Sequence, residues 1–149
     1  MKIFFSAPYM EYFSFDTGME QNYRDRILKM ISIIEEEQIT VLSAHIRKSS
    51  DINIDTPEDA VKYDFQGIKE ADFLIAFIGD DIPSYGVVME IGFAAALRKR
   101  IYLFHHININ PFPFLIKGLN IWTETIFIEY LNDFDAEGKL ISLLNNELN

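Results

Sequence analysis

The stretch that most constrains this chain is Phe73-Leu74-Ile75-Ala76-Phe77-Ile78, an apolar run with no polar interruption. A strand of that kind has no face to give to water. It must be covered on both sides, as strands are in a parallel sheet held between two layers of helices. The run is too short for a globular helix, and the turn-rich segment from Gly79 to Gly86 ends it. The neighbouring segments supply the covering helices. Asp55-Thr56-Pro57-Glu58-Asp59 reads as a helix start, with Thr56 as cap, Pro57 in the first turn and acids at the positive end of the dipole. That helix is expected to run to about Ala71, and a second is expected from Met89 to Arg98.

The same alternation extends in both directions. Lys2 to Ala7 is a short buried strand closed by Pro8, and a polar, aromatic loop follows to about Met19. Tyr23, Ile27, Met30, Ile31 and Ile34 recur at helical spacing, and Thr40 to His45 reads as a strand. Ile101 to Phe104 and Thr125 to Ile128 are further strands, and Asp133 to Leu148 closes the chain as a helix with Leu140, Ile141 and Leu144 inward. Strands alternating with helices specify right-handed parallel crossovers. The expected fold is α/β, a flavodoxin-like three-layer sandwich with a four- or five-stranded parallel sheet, read as one domain over residues 1–149. Ligands of such folds lie beyond the carboxyl ends of the strands, near the switch point.

Charge narrows the ligand. Thirteen Lys and Arg against 23 Asp and Glu leave a net charge of −10, which repels nucleic-acid polymers but not a small ligand. A single small anion can still bind backbone amides at a helix N-terminus. There is no cysteine, which excludes disulfides and thiolate metal sites and fits a reducing cytoplasm. The opening apolar run is too short for a signal peptide, and no window reaches the length of a membrane span.

The loops at the expected ligand edge carry the polar groups. Ser6, Tyr9, Glu11, Tyr12 and Asp16 follow the first strand. Asp64 sits on the helix before the third, with Gln66 and Gly67 after it. Glu90 interrupts the apolar segment Val87-Val88-Met89-Glu90-Ile91-Gly92-Phe93-Ala94. A carboxylate among such neighbours is costly to desolvate, so it either pairs on a polar stripe of its helix or serves chemistry. Ser84 and Gly86 can present a hydroxyl and free amides to an oxyanion.

The blocks Tyr63-Asp64-Phe65-Gln66-Gly67-Ile68-Lys69-Glu70-Ala71-Asp72 and Ser84-Tyr85-Gly86-Val87-Val88-Met89-Glu90-Ile91-Gly92-Phe93-Ala94 resemble the nucleoside 2-deoxyribosyltransferase superfamily, as does Ile3-Phe4-Phe5-Ser6-Ala7-Pro8-Tyr9. That superfamily includes transferases that exchange bases on 2′-deoxyribose and related nucleotide N-hydrolases. The resemblance covers roughly the first two-thirds of the chain and implies a nucleoside or nucleotide substrate, with no metal or other cofactor. It makes Glu90 the nucleophile at the anomeric carbon and Asp64 the acid that contacts the base and helps to protonate it. Tyr9 falls where the family sets an aromatic against the base. Ser6, Ser84, Gly86 and Asp72 join the substrate-binding set, Asp72 mainly as a structural acid. The resemblance also implies a homo-oligomer whose subunits share active sites. A nucleotide-binding sensor on the same scaffold is the rival reading.

Two features pull apart on the substrate. The hydrolases carry Ser where this chain has Ser84, and use it to hold a 5′-phosphate. They also have a Gly- and Arg-rich first loop, whereas this chain has Pro8-Tyr9-Met10-Glu11-Tyr12, with an acid that repels phosphate. The first loop tips the expectation towards nucleosides. His45, His105 and His106 lack partners at metal-ligand spacing and are read as polar or packing groups. Trp122 is read as packing, Pro111-Phe112-Pro113-Phe114 as a subunit contact, and Asn108, Asn110 and Asn120 as groups a neighbouring subunit could use.

Overall fold

The computed structural model describes residues 1–14, 16–47 and 56–148. Five parallel strands form its sheet: β1 (Lys2–Ser6), β4 (Thr40–Leu42), β5 (Phe73–Phe77), β6 (Arg100–His106) and β7 (Thr125–Tyr130), in the order β4-β1-β5-β6-β7. Helices α1 (Gln21–Glu36), α3 (Pro57–Glu70), α4 (Tyr85–Ala96) and α6 (Asp133–Leu148) connect or close these strands, with short α2 (Ala44–Arg47) and α5 (Phe114–Lys117) between them. This is the α/β flavodoxin-like sandwich expected from the alternating pattern.

Side-chain alternation along each strand divides the core into two layers. Ile3, Phe5, Ile75, Phe77, Tyr102 and Phe104 pack with α1 and α6, while Phe4, Leu74, Ala76, Ile101 and Leu103 pack with α3 and α4. Ser6 has the parity of Phe4, so its hydroxyl faces the α3–α4 side. Gly67 lets α3 lie close on β1, because a Cβ there would come within 2.9 Å of the Phe4 ring. Gly79 ends β5 with φ +131°, and any Cβ would meet the Ile82 carbonyl oxygen at 2.4 Å.

Several boundaries differ from the sequence expectation. β4 stops at Leu42 rather than His45, because the Ser43 hydroxyl accepts from the His45 N–H (3.2 Å) and turns the chain into α2. α4 begins at Tyr85 rather than Met89. Ser84 is its N-cap, accepting from the Val87 N–H at 3.5 Å, and the Gly and paired Val residues that follow disguise the helix in the sequence. The loop after β1 holds a small hairpin, β2 (Phe13–Ser14) with β3 (Gly18–Met19), turning through Gly18 at φ +78°. On α6, Leu143 joins Leu140 and Leu144 in the core, whereas Ile141 is 46% exposed. Thr56 caps α3 as expected, accepting from the Asp59 N–H; Asp55 lies outside the described residues.

Candidate active site

The connections from β1 and β5 leave in opposite directions, and a cavity of about 630 Å³ opens beyond the carboxyl ends of the strands at that switch point. It is lined by Ser6 at the end of β1 and Tyr9 beyond it, Arg47 on α2, Asp64 on α3, the α4 N-cap Ser84, and Gly86 and Glu90 in the first turns of α4. Of the residues the sequence singled out for substrate, only Asp72 is elsewhere. It sits at the opposite edge of the sheet, where its carboxylate accepts from the Lys2 backbone N–H at 2.8 Å. There it ties the start of β1 to β5 and does not line the cavity.

Glu90 reaches the cavity from the second turn of α4, where the Ser6 hydroxyl donates to its carboxylate. Burial dominates its protonation and pushes its pKa up to about 8; the negative charge of Asp64 adds to the rise, and the Ser6 hydrogen bond and Arg47 oppose it. A carboxyl group in that condition is poised to change charge state when a cationic centre arrives.

Asp64 stands on the neighbouring helix, where Arg47 Nη1 donates to its Oδ1 at 2.6 Å. Both side chains are mostly shielded, exposed by 15% and 22%, so the pair is far less screened than a surface salt bridge. The Arg47 guanidinium also lies 5.3 Å from the Tyr63 ring centroid. Nothing in the sequence marks Arg47, since one arginine after a short strand carries no motif. The signal lay in the topology: the end of β4 borders the same edge of the sheet as the end of β1.

An aromatic wall faces these groups. Tyr9 stacks on Phe13 (centroids 5.7 Å apart, planes 26°) and tilts against His45 at 5.2 Å. The carbonyls beneath the wall are held from below: the Ala7 carbonyl is 3.1 Å from His45 Nε2, and the Pro8 carbonyl accepts from the Tyr23 hydroxyl at 2.5 Å. Burial lowers the His45 pKa and keeps the imidazole neutral. His45 is therefore a packing and positioning group of the kind expected, and it also lines the cavity.

At the far end, Ser84 is 2% exposed and caps α4 with its oxygen, which leaves its O–H proton as a donor for an acceptor in the cavity. A Cβ at Gly86 would meet only the Ser84 hydroxyl, at 3.8 Å, so that glycine keeps the helix start open rather than relieving a clash. Glu11 shares the lining and sets a negative charge at the rim.

The remaining candidates fall outside this cavity. His106 Nε2 lies 2.9 Å from the Leu131 carbonyl, its Nδ1 accepts from the Asn108 N–H at 3.1 Å, and His105 sits edge-on to Phe112. Among the described residues no group of three His, Asp or Glu side chains could hold a metal ion. Asn120 accepts from the Thr125 N–H and so serves its own turn. Trp122 does not pack inward: it is 53% exposed and carries the Arg98 guanidinium 3.6 Å from its ring centroid. No helix among the described residues is long and apolar enough to cross a membrane.

A model of the nucleoside 2-deoxyribosyltransferase family matches residues 12–115. The chain belongs to that family. Asp64, Ser84, Gly86 and Glu90 lie inside the matched stretch, and Ser6 and Tyr9 precede it. Among solved structures, the Clostridium botulinum CMP N-glycosidase BcmB is 26% identical, with a TM-score of 0.70 over 94% of this chain and 98% of that one. BlsM is 25% identical, with a TM-score of 0.79 over 97% and 90%. The 2-deoxyribosyltransferase of Bacillus psychrosaccharolyticus shares the fold at 19% identity, with a TM-score of 0.61 over 97% and 96%. No curated protein sequence matches the chain.

Proposed function

We propose that this member of the family cleaves the N-glycosidic bond of a (deoxy)nucleoside and passes the sugar to water or to a second base through a glycosyl ester on Glu90. The observation that carries this reading is the hydrogen bond from Ser6 to Glu90 inside a cavity that also holds Asp64. A protein that merely bound nucleotides would have no use for a desolvated carboxyl group at that place.

The chemistry follows from the charges. As the C1′–N bond lengthens, its electron pair moves to the base and the sugar gains oxocarbenium character. An ionised Glu90 stabilises that cation and then bonds to C1′. Water or an incoming base attacks the ester from the other face, and the carboxylate is released. Two such displacements retain configuration at the anomeric carbon, as with retaining O-glycosidases. Tyr9 and Phe13 supply a stacking wall for the base, and Asp64 a carboxylate for its N–H groups. No step asks for a metal or redox cofactor.

A specific observation favours a second substrate class. The Ser84-capped start of α4 opens on the cavity and suits an anion, and the similar BcmB is a CMP N-glycosidase. Against a 5′-monophosphate stand Glu11 in the lining and the commitment of Arg47 to Asp64. The nucleoside reading is preferred on that balance. Assembly into homo-oligomers with shared sites fits the surface: α4 is apolar nearly all round, Tyr85 is 89% exposed and Met89 52%, and both line the cavity. The test is incubation with deoxynucleosides and their monophosphates, with and without a second base. Free base or an exchanged nucleoside is expected; recovery of every substrate intact would refute the reading.

A further inference from the structure

We infer that Arg26 and Asp80, an ion pair outside the cavity, are positioning residues that aim the Ser84 hydroxyl at the 5′ end of the sugar. The inference rests on the proposed glycosyl transfer and assigns within it what fixes the far end of the substrate.

The pair is built for a fixed geometry. Arg26, in the second turn of α1, donates from Nη1 to Asp80 Oδ2 at 2.7 Å and from Nη2 to Asp80 Oδ1 at 3.0 Å, a two-pronged fit that the planar guanidinium allows. The Tyr130 hydroxyl, at the end of β7, donates to Asp80 Oδ1 at 2.8 Å. Arg26 Nε lies 2.8 Å from Asp133 Oδ1, close enough for an ion pair although not aligned for a hydrogen bond. Burial works against the Asp80 charge, but the hydrogen bonds and charge of Arg26 outweigh it and hold the carboxyl below its ordinary value.

Four elements meet at this guanidinium: α1, the loop from β5 to α4, β7 and the start of α6. Three of them are fixed without it. Tyr23 and Ile27 of α1, Tyr130 of β7, and Ala136 and Leu140 of α6 share one buried cluster. The loop depends on it more. Backbone bonds close the loop, from the Ser84 N–H to the Ile78 carbonyl at 2.8 Å and from the Asn110 N–H to the Asp81 carbonyl at 2.9 Å. Asp81 is exposed and Ile82 is 71% exposed, so little of the loop is held by packing. Asp80 supplies the side-chain bonds that tie it to the fold. Loss of the pair is therefore felt in the loop before it is felt in the core.

What the loop delivers is Ser84. Its oxygen is 3.5 Å from the Val87 N–H that it caps, beyond the usual range for a hydrogen bond, so the cap alone holds the hydroxyl weakly. Ser84 and Glu90 line the cavity from one helix, separated by about 9 Å along its axis. A sugar joined to Glu90 at C1′ has its 5′ end within reach of Ser84. Glu90 itself does not depend on the loop: Val87, Ile91 and Ala94 around it on α4 are buried, and Ser6 donates to its carboxylate from β1. The pair therefore acts on how the 5′ end is bound and leaves bond cleavage alone.

The test compares 2′-deoxyuridine with 2′,5′-dideoxyuridine, which lacks only the 5′-hydroxyl. The intact protein is assayed as wild type, Arg26→Gln, Arg26→Lys, Ser84→Ala and the Arg26→Gln/Ser84→Ala double variant. Arg26→Gln should raise KM for 2′-deoxyuridine by about 3–10-fold, the weight of one hydrogen bond, with kcat nearly unchanged. KM for 2′,5′-dideoxyuridine should not move, and Arg26→Gln should add nothing to Ser84→Ala. Arg26→Lys, which restores the charge but not the fork, should recover part of the loss. Equal losses for the two substrates, losses that add in the double variant, a fall in kcat alone or unaltered kinetics would each overturn the assignment and leave the proposed reaction standing. Should wild type release no base from either substrate, the underlying reaction fails and the assignment with it. Circular dichroism at the assay temperature identifies unfolding, since Arg26→Gln leaves Asp80 without its counter-charge. In that event Arg26→Gln/Asp80→Asn, which buries no lone charge and keeps an acceptor for Tyr130, must show the same substrate dependence. If that variant also fails to fold, the pair is a structural staple and the assignment falls.

Discussion

The Ser6 hydroxyl, at the carboxyl end of β1, donates to the carboxylate of Glu90, which α4 delivers from the far side of β5. This contact is the main one opposing the desolvation of Glu90. Removing it in Ser6→Ala leaves the carboxyl group buried and still facing Asp64, so its pKa rises further. Because the proposed reaction needs the ionised form, kcat/KM of wild type should climb with pH and level off above about 8. In Ser6→Ala the limb should move to higher pH, and activity at neutral pH should fall by about 10–100-fold, as for a hydrogen bond to a charged group worth roughly 1.5–3 kcal/mol. A pH–rate profile of both proteins checks this; a limb near the ordinary glutamate value in wild type would contradict it.

Glu90 should also cost the fold stability. Its folded-state pKa lies above the unfolded value of 4.5, so its contribution is fully present below that pH and is lost as pH rises through about 8. Glu90→Gln removes the charge but keeps an acceptor for Ser6. The variant should melt higher than wild type at pH 8–9, by about 2–4 °C for each kcal/mol of relieved desolvation, and the gap should close towards pH 4.5. Thermal melts across that range decide it, and a wild type that is the more stable protein at alkaline pH would overturn the account of Glu90 as a desolvated acid.

The substrate question turns on Ser84. If nucleosides are preferred, kcat/KM for a deoxynucleoside should exceed that for its 5′-monophosphate, and Ser84→Ala should raise KM through the lost 5′-hydroxyl contact. The same change removes the cap of α4, so Tm should drop by an amount matching about 0.5–2 kcal/mol. A clear monophosphate advantage that disappears in Ser84→Ala would transfer the preference to nucleotides.

Much of this was legible in the sequence because the physics was local. The unbroken Phe73–Ile78 run had to be a covered strand, and Thr56-Pro57 had to start a helix. Asp64 and Glu90 stood out as acids at a recognisable spacing, and both line the cavity. What escaped depends on groups far apart in the chain. Arg47 gains its meaning only when β4 pairs beside β1 and brings α2 against α3. Ser84 reads in the sequence as a ligand group, yet its oxygen also caps a helix whose Gly86 and β-branched residues gave no helical signal. Ile141 and Leu143 are both compatible with an apolar stripe, and only the direction from which the sheet approaches α6 chooses Leu143.

The central claim is that the sugar passes through an ester on Glu90. Rapid acid quenching of wild type during turnover of a deoxynucleoside, followed by intact-mass and peptide mass spectrometry, tests it most directly. The account predicts one deoxyribosyl adduct, carried on the peptide that contains Glu90 and absent from Glu90→Gln, whose base release should fall by several orders of magnitude. An adduct on another residue, or near-normal base release by Glu90→Gln, would contradict it.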